Sequence, residues 1–174
     1  MPDGSKLFIR DQNTYKIEYS TGIIFEGEFF KDEQLYLPQI LKGKAFYSSG
    51  IIKKFEGTFK LHKFNNSGLT HFKNGKAFYA NGDIFDGSFG SEGDLNYRIK
   101  GTYYYSNGDR VDGIFHKKSG GVKEGTTYYR NGDKYTGTYF DKRTGETRKN
   151  GNYYFANGQI GKYKNGIFKN QKIS

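Results

Sequence analysis

The sequence predicts an all-β chain: an extended, single-layer, twisted antiparallel sheet of about six tandem β-hairpins. Three observations carry this. Gly101 to Phe115 reads Gly-Thr-Tyr-Tyr-Tyr-Ser-Asn-Gly-Asp-Arg-Val-Asp-Gly-Ile-Phe, two aromatic-rich arms around Asn107-Gly108, a dipeptide suited to the positive φ angles of a type I′ hairpin turn. The pattern returns along the chain with Gly22, Gly50, Gly82, Gly108, Gly132 and Gly158 at the turn, which makes the sequence a tandem repeat. The apolar content is ring surface, with 16 Tyr and 16 Phe among 174 residues, and rings suit pleated sheets better than helices.

The elements follow in order. Lys6 to Arg10 reads as a strand, Asp11 to Thr14 as a turn and Tyr15 to Tyr19 as the returning strand, so residues 1–14 form a half unit before an array over 15–169. Ser20-Thr21-Gly22 turns into Phe25-Glu26-Gly27-Glu28-Phe29, the first full copy of an aromatic–acid–Gly–x–aromatic arm. Lys31 to Lys42, with Leu35, Tyr36, Leu37, Ile40 and Leu41 around Pro38, is an aliphatic-rich connection expected to fold onto the sheet. The unit from Gly43 turns at Ser48-Ser49-Gly50, and the extra Lys53 and Lys54 predict a bulge or widened turn.

Units starting at Gly75, Gly101, Gly125 and Gly151 follow. Return turns are expected at Asn65 to Gly68, Ser91 to Asp94, Lys118 to Gly121 and Arg143 to Glu146. The last copy reads as two residues short in its second arm, as suits a capping repeat. Lys164-Asn165-Gly166 offers a final turn, and residues 170–174 form a polar tail. No segment reads as a helix.

A two-residue turn at Asn107-Gly108 places Tyr104 opposite Val111 and Tyr105 opposite Arg110. The strand period of two then gives one face Phe46, Phe78, Tyr104, Tyr128 and Tyr154 on one arm, with Phe55, Phe85 and Tyr135, and also Phe25, on the other. Gly27, Gly57, Gly87, Gly113 and Gly137 fall on this face as a floor for neighbouring rings. The opposite face alternates Tyr47, Tyr79, Tyr105, Tyr129 and Phe155 with Glu26, Glu56, Asp86, Asp112 and Thr136. A slip of one residue would exchange the faces.

Several chemistries find no support. The chain has no Cys, hence no disulfide framework or thiolate metal site, which fits a reducing, cytoplasmic setting. No apolar run approaches a membrane span, and the start lacks a signal-peptide core, so any membrane contact is expected to be peripheral. His62, His71 and His116 lack companions for a tetrahedral metal set and read as exposed loop histidines. The recurring carboxylates read as cross-strand partners, and no nucleophile–base pair emerges, so neither catalysis nor a cofactor or metal is expected. The glycines belong to hairpins and precede no helix, as a phosphate-binding loop would require.

The net charge of +10 favours an acidic partner or simple solubility. Much of it falls on the return-turn edge, at Lys60, Lys63, Lys117, Lys118, Lys142, Arg143, Arg148 and Lys149, where Lys also protects strand edges from pairing. As a functional edge it would steer toward anionic membrane or nucleic acid.

Phe85-Asp86-Gly87-Ser88-Phe89, Phe55-Glu56-Gly57-Thr58-Phe59 and Tyr135-Thr136-Gly137-Thr138-Tyr139, each after a Gly turn and an aromatic arm, resemble MORN (membrane occupation and recognition nexus) repeats, from about Tyr15 to Phe168. The resemblance implies a hairpin array used as a scaffold, with homodimer formation, partner proteins held along a groove, contact with anionic lipid, and a place in cytoskeletal, ciliary or membrane-junction assemblies. Phe or Tyr stands here where the family usually carries Trp after the central Gly-x. The expected function is a non-catalytic adaptor binding proteins of a larger assembly along the aromatic face, with Phe46, Phe78, Tyr104, Tyr128, Tyr154, Phe55, Phe85 and Tyr135 as anchors. The alternatives are anionic phospholipid binding through the basic edge and, more weakly, single-stranded nucleic acid stacked on the rings.

Overall fold

The computed structural model describes residues 4–11, 14–30, 39–60, 71–93, 95–140 and 148–170. The chain divides into two compact units, residues 1–96 and 97–174. Among the described residues there are strands and turns but no helix, and each unit is an open meander whose strands follow chain order.

The first unit contains β1 (Lys6–Ile9), β2 (Thr14–Glu18), β3 (Ile24–Phe30), β4 (Gln39–Phe46), β5 (Ile52–Lys60), β6 (His71–Tyr79) and β7 (Ile84–Glu92). The second contains nearly all of β8 (Leu95–Tyr104), then β9 (Arg110–Phe115), β10 (Val122–Tyr128), β11 (Lys134–Tyr139), β12 (Arg148–Tyr154), β13 (Ile160–Lys164) and β14 (Ile167–Asn170). Within each unit successive strands pair antiparallel. The aliphatic patch around Pro38 and the return turns at 65–68 and 143–146 lie outside the described residues.

The turns differ from the expected two-residue form. Tyr105 N–H donates to Asp109 O at 2.9 Å and Gly108 N–H to Tyr105 O at 3.0 Å, enclosing the three residues Ser106-Asn107-Gly108. Gly108 has φ +94° and Asn107 is not in the positive-φ region, which is the three-residue loop with a left-handed Gly at its end. The turns closed by Tyr19 and Ile23, Tyr79 and Asp83, Tyr129 and Asp133, and Phe155 and Gln159 repeat it. Asn165-Gly166, by contrast, has φ +51° and +83° and does form the two-residue turn.

That extra loop residue shifts each affected opening arm by one. Tyr104 pairs with Arg110 and Tyr103 with Val111, so the opening-arm rings exchange faces with their neighbours. The bulge foreseen near Lys53 is present, because Ile52 faces Tyr79 and Lys54 faces Phe78 with Lys53 left over. Bulges also leave Lys73, Lys123 and Lys149 unpaired on their strands, and each of these lysines is exposed.

The core is built from rows that run across the strands. In the first unit Ile17, Phe25, Ala45, Phe55, Ala77 and Phe85 lie opposite one another in succession, each with 0% exposure. Small residues alternate with rings, leaving room for the rings to tilt. Phe55 stacks on Phe72 at 3.9 Å, while Phe59 and Phe89 meet it edge-on at 5.1 and 5.5 Å. Each such pair adds about 0.5–1.5 kcal/mol beyond area burial, so rings of neighbouring hairpins cover one another without a second layer of secondary structure.

Beside this row runs a row of glycines: Gly27, Gly43, Gly57, Gly75 and Gly87 in the first unit, and Gly101, Gly113, Gly125, Gly137 and Gly151 in the second. A Cβ on Gly57 would stand 2.1 Å from the Asn74 carbonyl oxygen, so facing backbones occupy the space a side chain would need. The expected floor is present at Tyr135, whose hydroxyl lies over Gly137 and Gly151 and donates to Thr138 O at 2.9 Å.

The second arm of the last repeat, β13, has five residues against six in β9 and β11. Gly161 pairs with Tyr153 in the ring row, and Tyr163 pairs with Gly151 in the glycine row, so the two residue types have changed places. Phe168 of β14 lies where a Gly161 side chain would be and packs against Tyr153, Phe155 and Tyr163 at 6.3, 6.0 and 5.0 Å. The final strand thus folds a ring back over the gap.

Candidate functional site

The register splits the eight expected anchors between two faces. Phe55, Phe85 and Tyr135 are fully buried in the ring row and cannot meet a partner. Phe46, Phe78 and Tyr154 are half-buried on the opposite face, together with the exposed Tyr104 and Tyr128. The reason is the three-residue turn: it moves Phe78, Tyr104, Tyr128 and Tyr154 onto the charged face and turns Ala77, Tyr103, Thr127 and Tyr153 toward the rings. Phe46 shares that placement through the longer loop closed by Tyr47 and Lys53.

In the first unit the charged face neutralises itself. Lys16, Glu26, Lys44, Glu56, Lys76 and Asp86 alternate in sign across the strands. Lys44 reaches Glu56 at 3.6 Å and Lys76 reaches Asp86 at 3.4 Å, as expected of cross-strand partners. Lys54 lies 3.0 Å from Glu56 and 4.0 Å from the Phe78 ring centroid. Its hydrogen bond to Glu56 is the main cause holding that carboxyl below its ordinary pKa.

The second unit carries a different row: Tyr104, Arg110, Tyr128, Lys134 and Tyr154 face one another in that order. Arg110 sits 4.3 Å from the Tyr128 ring and Lys134 sits 4.5 Å from the Tyr154 ring. Tyr104 is 42% exposed and Tyr128 38%. Arg110 also meets Asp112 at 3.4 Å, whereas Lys134 meets no carboxylate among the described residues. Beside this row the Thr126 and Thr136 hydroxyls lie 3.1 Å apart.

The basic edge is less free than the sequence implied. Arg148 is not an edge cation. Its guanidinium donates to the Tyr129 hydroxyl at 2.6 and 3.0 Å and to the Tyr163 hydroxyl at 3.2 Å, and it lies 5.0–5.8 Å from the rings of Tyr129, Tyr135, Tyr153 and Tyr163. Lys60 donates to Ser91 at 3.2 Å, Lys117 lies over Tyr97 at 5.1 Å, and Lys149 lies over Phe140 at 5.5 Å. Lys118 is exposed, while Lys63, Lys142 and Arg143 lie outside the described residues.

The Asn-Gly-Asp edge has a role that sequence reading missed. Asn131 Nδ2 donates to Asp133 Oδ2 at 2.9 Å and Asn131 Oδ1 accepts from Asp133 N–H at 3.0 Å. Asp133 Oδ1 then accepts from Ala156 N–H of the next hairpin at 2.8 Å, as Asp109 does from Arg130 N–H at 2.8 Å. The acids clamp successive turns together. The Tyr153 hydroxyl donates to Asp133 at 2.7 Å. That bond and the Ala156 amide hold the Asp133 carboxyl below its usual range, while burial and then the Asp133 bond push the Tyr153 phenol up to about 12.

A shallow, open depression of about 390 Å³ is lined by Asp109, Tyr129, Arg130, Asn131 and Tyr153. Its acid is committed to the turn clamp. No cluster of three or more metal-ligating side chains occurs among the described residues. His71 is 4% exposed in β6, opposite Lys60, and not in an exposed loop; His116 is half-buried and His62 lies outside the described residues. No described helix is long and apolar enough to cross a membrane. Compared with protein-family models and with curated proteins, the chain matches none.

Proposed function

We propose that this protein is a non-catalytic scaffold that holds partner proteins of a larger assembly along the ring-and-cation face of its hairpin sheet. The observation that carries this is the row Tyr104, Arg110, Tyr128, Lys134 and Tyr154, in which two exposed rings alternate with cations instead of packing into the core. Tyr and Arg are the side chains that most often dominate interface energetics. The repeat architecture and the resemblance to MORN scaffolds support the same reading.

The test is affinity capture from native extract with the wild-type chain and with a chain carrying Tyr104→Ser and Tyr128→Ser. Neither ring belongs to the buried row, so the fold should be kept, which a thermal melt checks. Partners captured by the wild type should be lost with the variant. An identical set of captured proteins from both would remove this reading.

A second reading is peripheral binding to anionic phospholipid, favoured by the exposed bulge lysines Lys123 and Lys149 and by Lys118 in the second unit. Vesicle flotation at rising salt separates it from the first, since screening shortens the reach of edge charges while ring contacts persist.

A further inference from the structure

We propose that the row Tyr104, Arg110, Tyr128, Lys134 and Tyr154 takes an acidic, proline-rich segment in the polyproline II conformation, with a carboxylate at every third residue. This rests on the scaffold reading and names the kind of partner.

Spacing comes first. The three rings stand on β8, β10 and β12, two strands apart, so they recur about every 9.6 Å along the sheet, and the two cations between them recur at the same interval. A polyproline II segment presents the same side every three residues, about 9.3 Å. An α-helix does so every seven residues, about 10.5 Å, and an extended strand every two residues, about 6.7 Å. Across three rings the polyproline II repeat drifts by about 0.6 Å and the helical repeat by about 1.8 Å. The strand repeat misses the neighbouring ring by about 2.9 Å, and so serves at most every second ring.

Chemistry points the same way. The hydroxyls of Tyr104, Tyr128 and Tyr154 make no hydrogen bond among the described residues, and a polyproline II backbone has no internal hydrogen bonds, so its carbonyls need such donors. Among the described residues Lys134 meets only a ring, and Arg110 shares Asp112 in an exposed pair that water screens. Two carboxylates three residues apart would meet these two cations. The first unit lacks the match: Phe46 and Phe78 carry no hydroxyl, and Lys54 is already held by Glu56.

The experiment is fluorescence anisotropy with three labelled peptides: five Glu-Pro-Pro repeats, five Lys-Pro-Pro repeats, and a helical peptide of equal negative charge with Leu at heptad spacing. The Glu-Pro-Pro peptide should bind at least tenfold tighter than either of the others. Lys134→Gln, and separately Arg110→Glu with Lys134→Glu, should each weaken it, the pair by at least tenfold, while Lys54→Gln should leave it unchanged. Far-UV circular dichroism checks that each variant is folded.

Tighter binding of the helical peptide with the same dependence on Lys134 would overturn the polyproline II assignment and leave the docking face standing. Binding of phosphatidylserine vesicles through these residues, with no peptide bound, would overturn it in favour of a membrane surface. No binding by any peptide would overturn it too, and only loss of the Tyr104 and Tyr128 dependence in partner capture would remove the scaffold reading itself.

Discussion

Tyr153 donates its hydroxyl to Asp133 at 2.7 Å, and the same carboxylate accepts the Ala156 amide at 2.8 Å, so one side chain in the turn of one hairpin holds both a ring and the backbone of the next. The tandem hairpins of the second unit are therefore locked at their turns as well as through their ladders.

This contact predicts alkaline sensitivity. The folded state raises the Tyr153 phenol from its ordinary 10.0 to about 12, so it favours the neutral form. The resulting stabilisation is fully present below pH 10 and is lost as pH rises through about 12. The Tyr153 phenol should ionise late, and Asp133→Asn should bring it back toward the ordinary range, read as the difference in tyrosinate absorbance titration between the two proteins. For Asp133, whose folded pKa is depressed, the sign reverses: its contribution is present above the ordinary 3.8 and is lost as pH falls through its folded value.

Arg148 ties β12 to the Tyr129 and Tyr163 hydroxyls. Arg148→Ala should cost about 2 kcal/mol, typical of hydrogen bonds made by a charged group. Arg148→Lys should recover little of this, because an ammonium cannot bridge both hydroxyls while lying over the surrounding rings. Urea unfolding of the three proteins measures the difference.

The ring row predicts opposite faults at adjacent positions. Phe55→Ala removes a fully buried ring and should cost about 3–5 kcal/mol. Ala77→Leu inserts bulk between Phe55 and Phe85 and should cost about 1–3 kcal/mol through overpacking. Both are read from urea midpoints at constant slope.

Phe168 covers the position of the absent Gly161 side chain. Phe168→Ala should expose the terminal rings and fray β13 and β14 first, seen as faster amide exchange at Lys162 and Lys164 than in β10 and β11. Uniform exchange across the second unit would refute a capping role.

The repeat, the described strands, the glycine turn positions among the described residues and the bulge at Lys53 were legible in the sequence, because each follows from local backbone preference and the period of two. Which rings face the core was not. That depends on whether Asn107 keeps right-handed backbone angles, and there its side chain is held by Asp109, which is itself held by the Arg130 amide 21 residues away. The loops closed by Tyr19 and Ile23 and by Phe155 and Gln159 take the same three-residue form with no acid at that position, so the Asp109 clamp fastens the loop without setting its length, while Asn165-Gly166 makes the shorter turn. The candidate docking row is thus a product of tertiary structure: the cross-strand register that follows from the three-residue turns put Tyr104, Tyr128 and Tyr154 out among the cations and left Phe55, Phe85 and Tyr135 in the core.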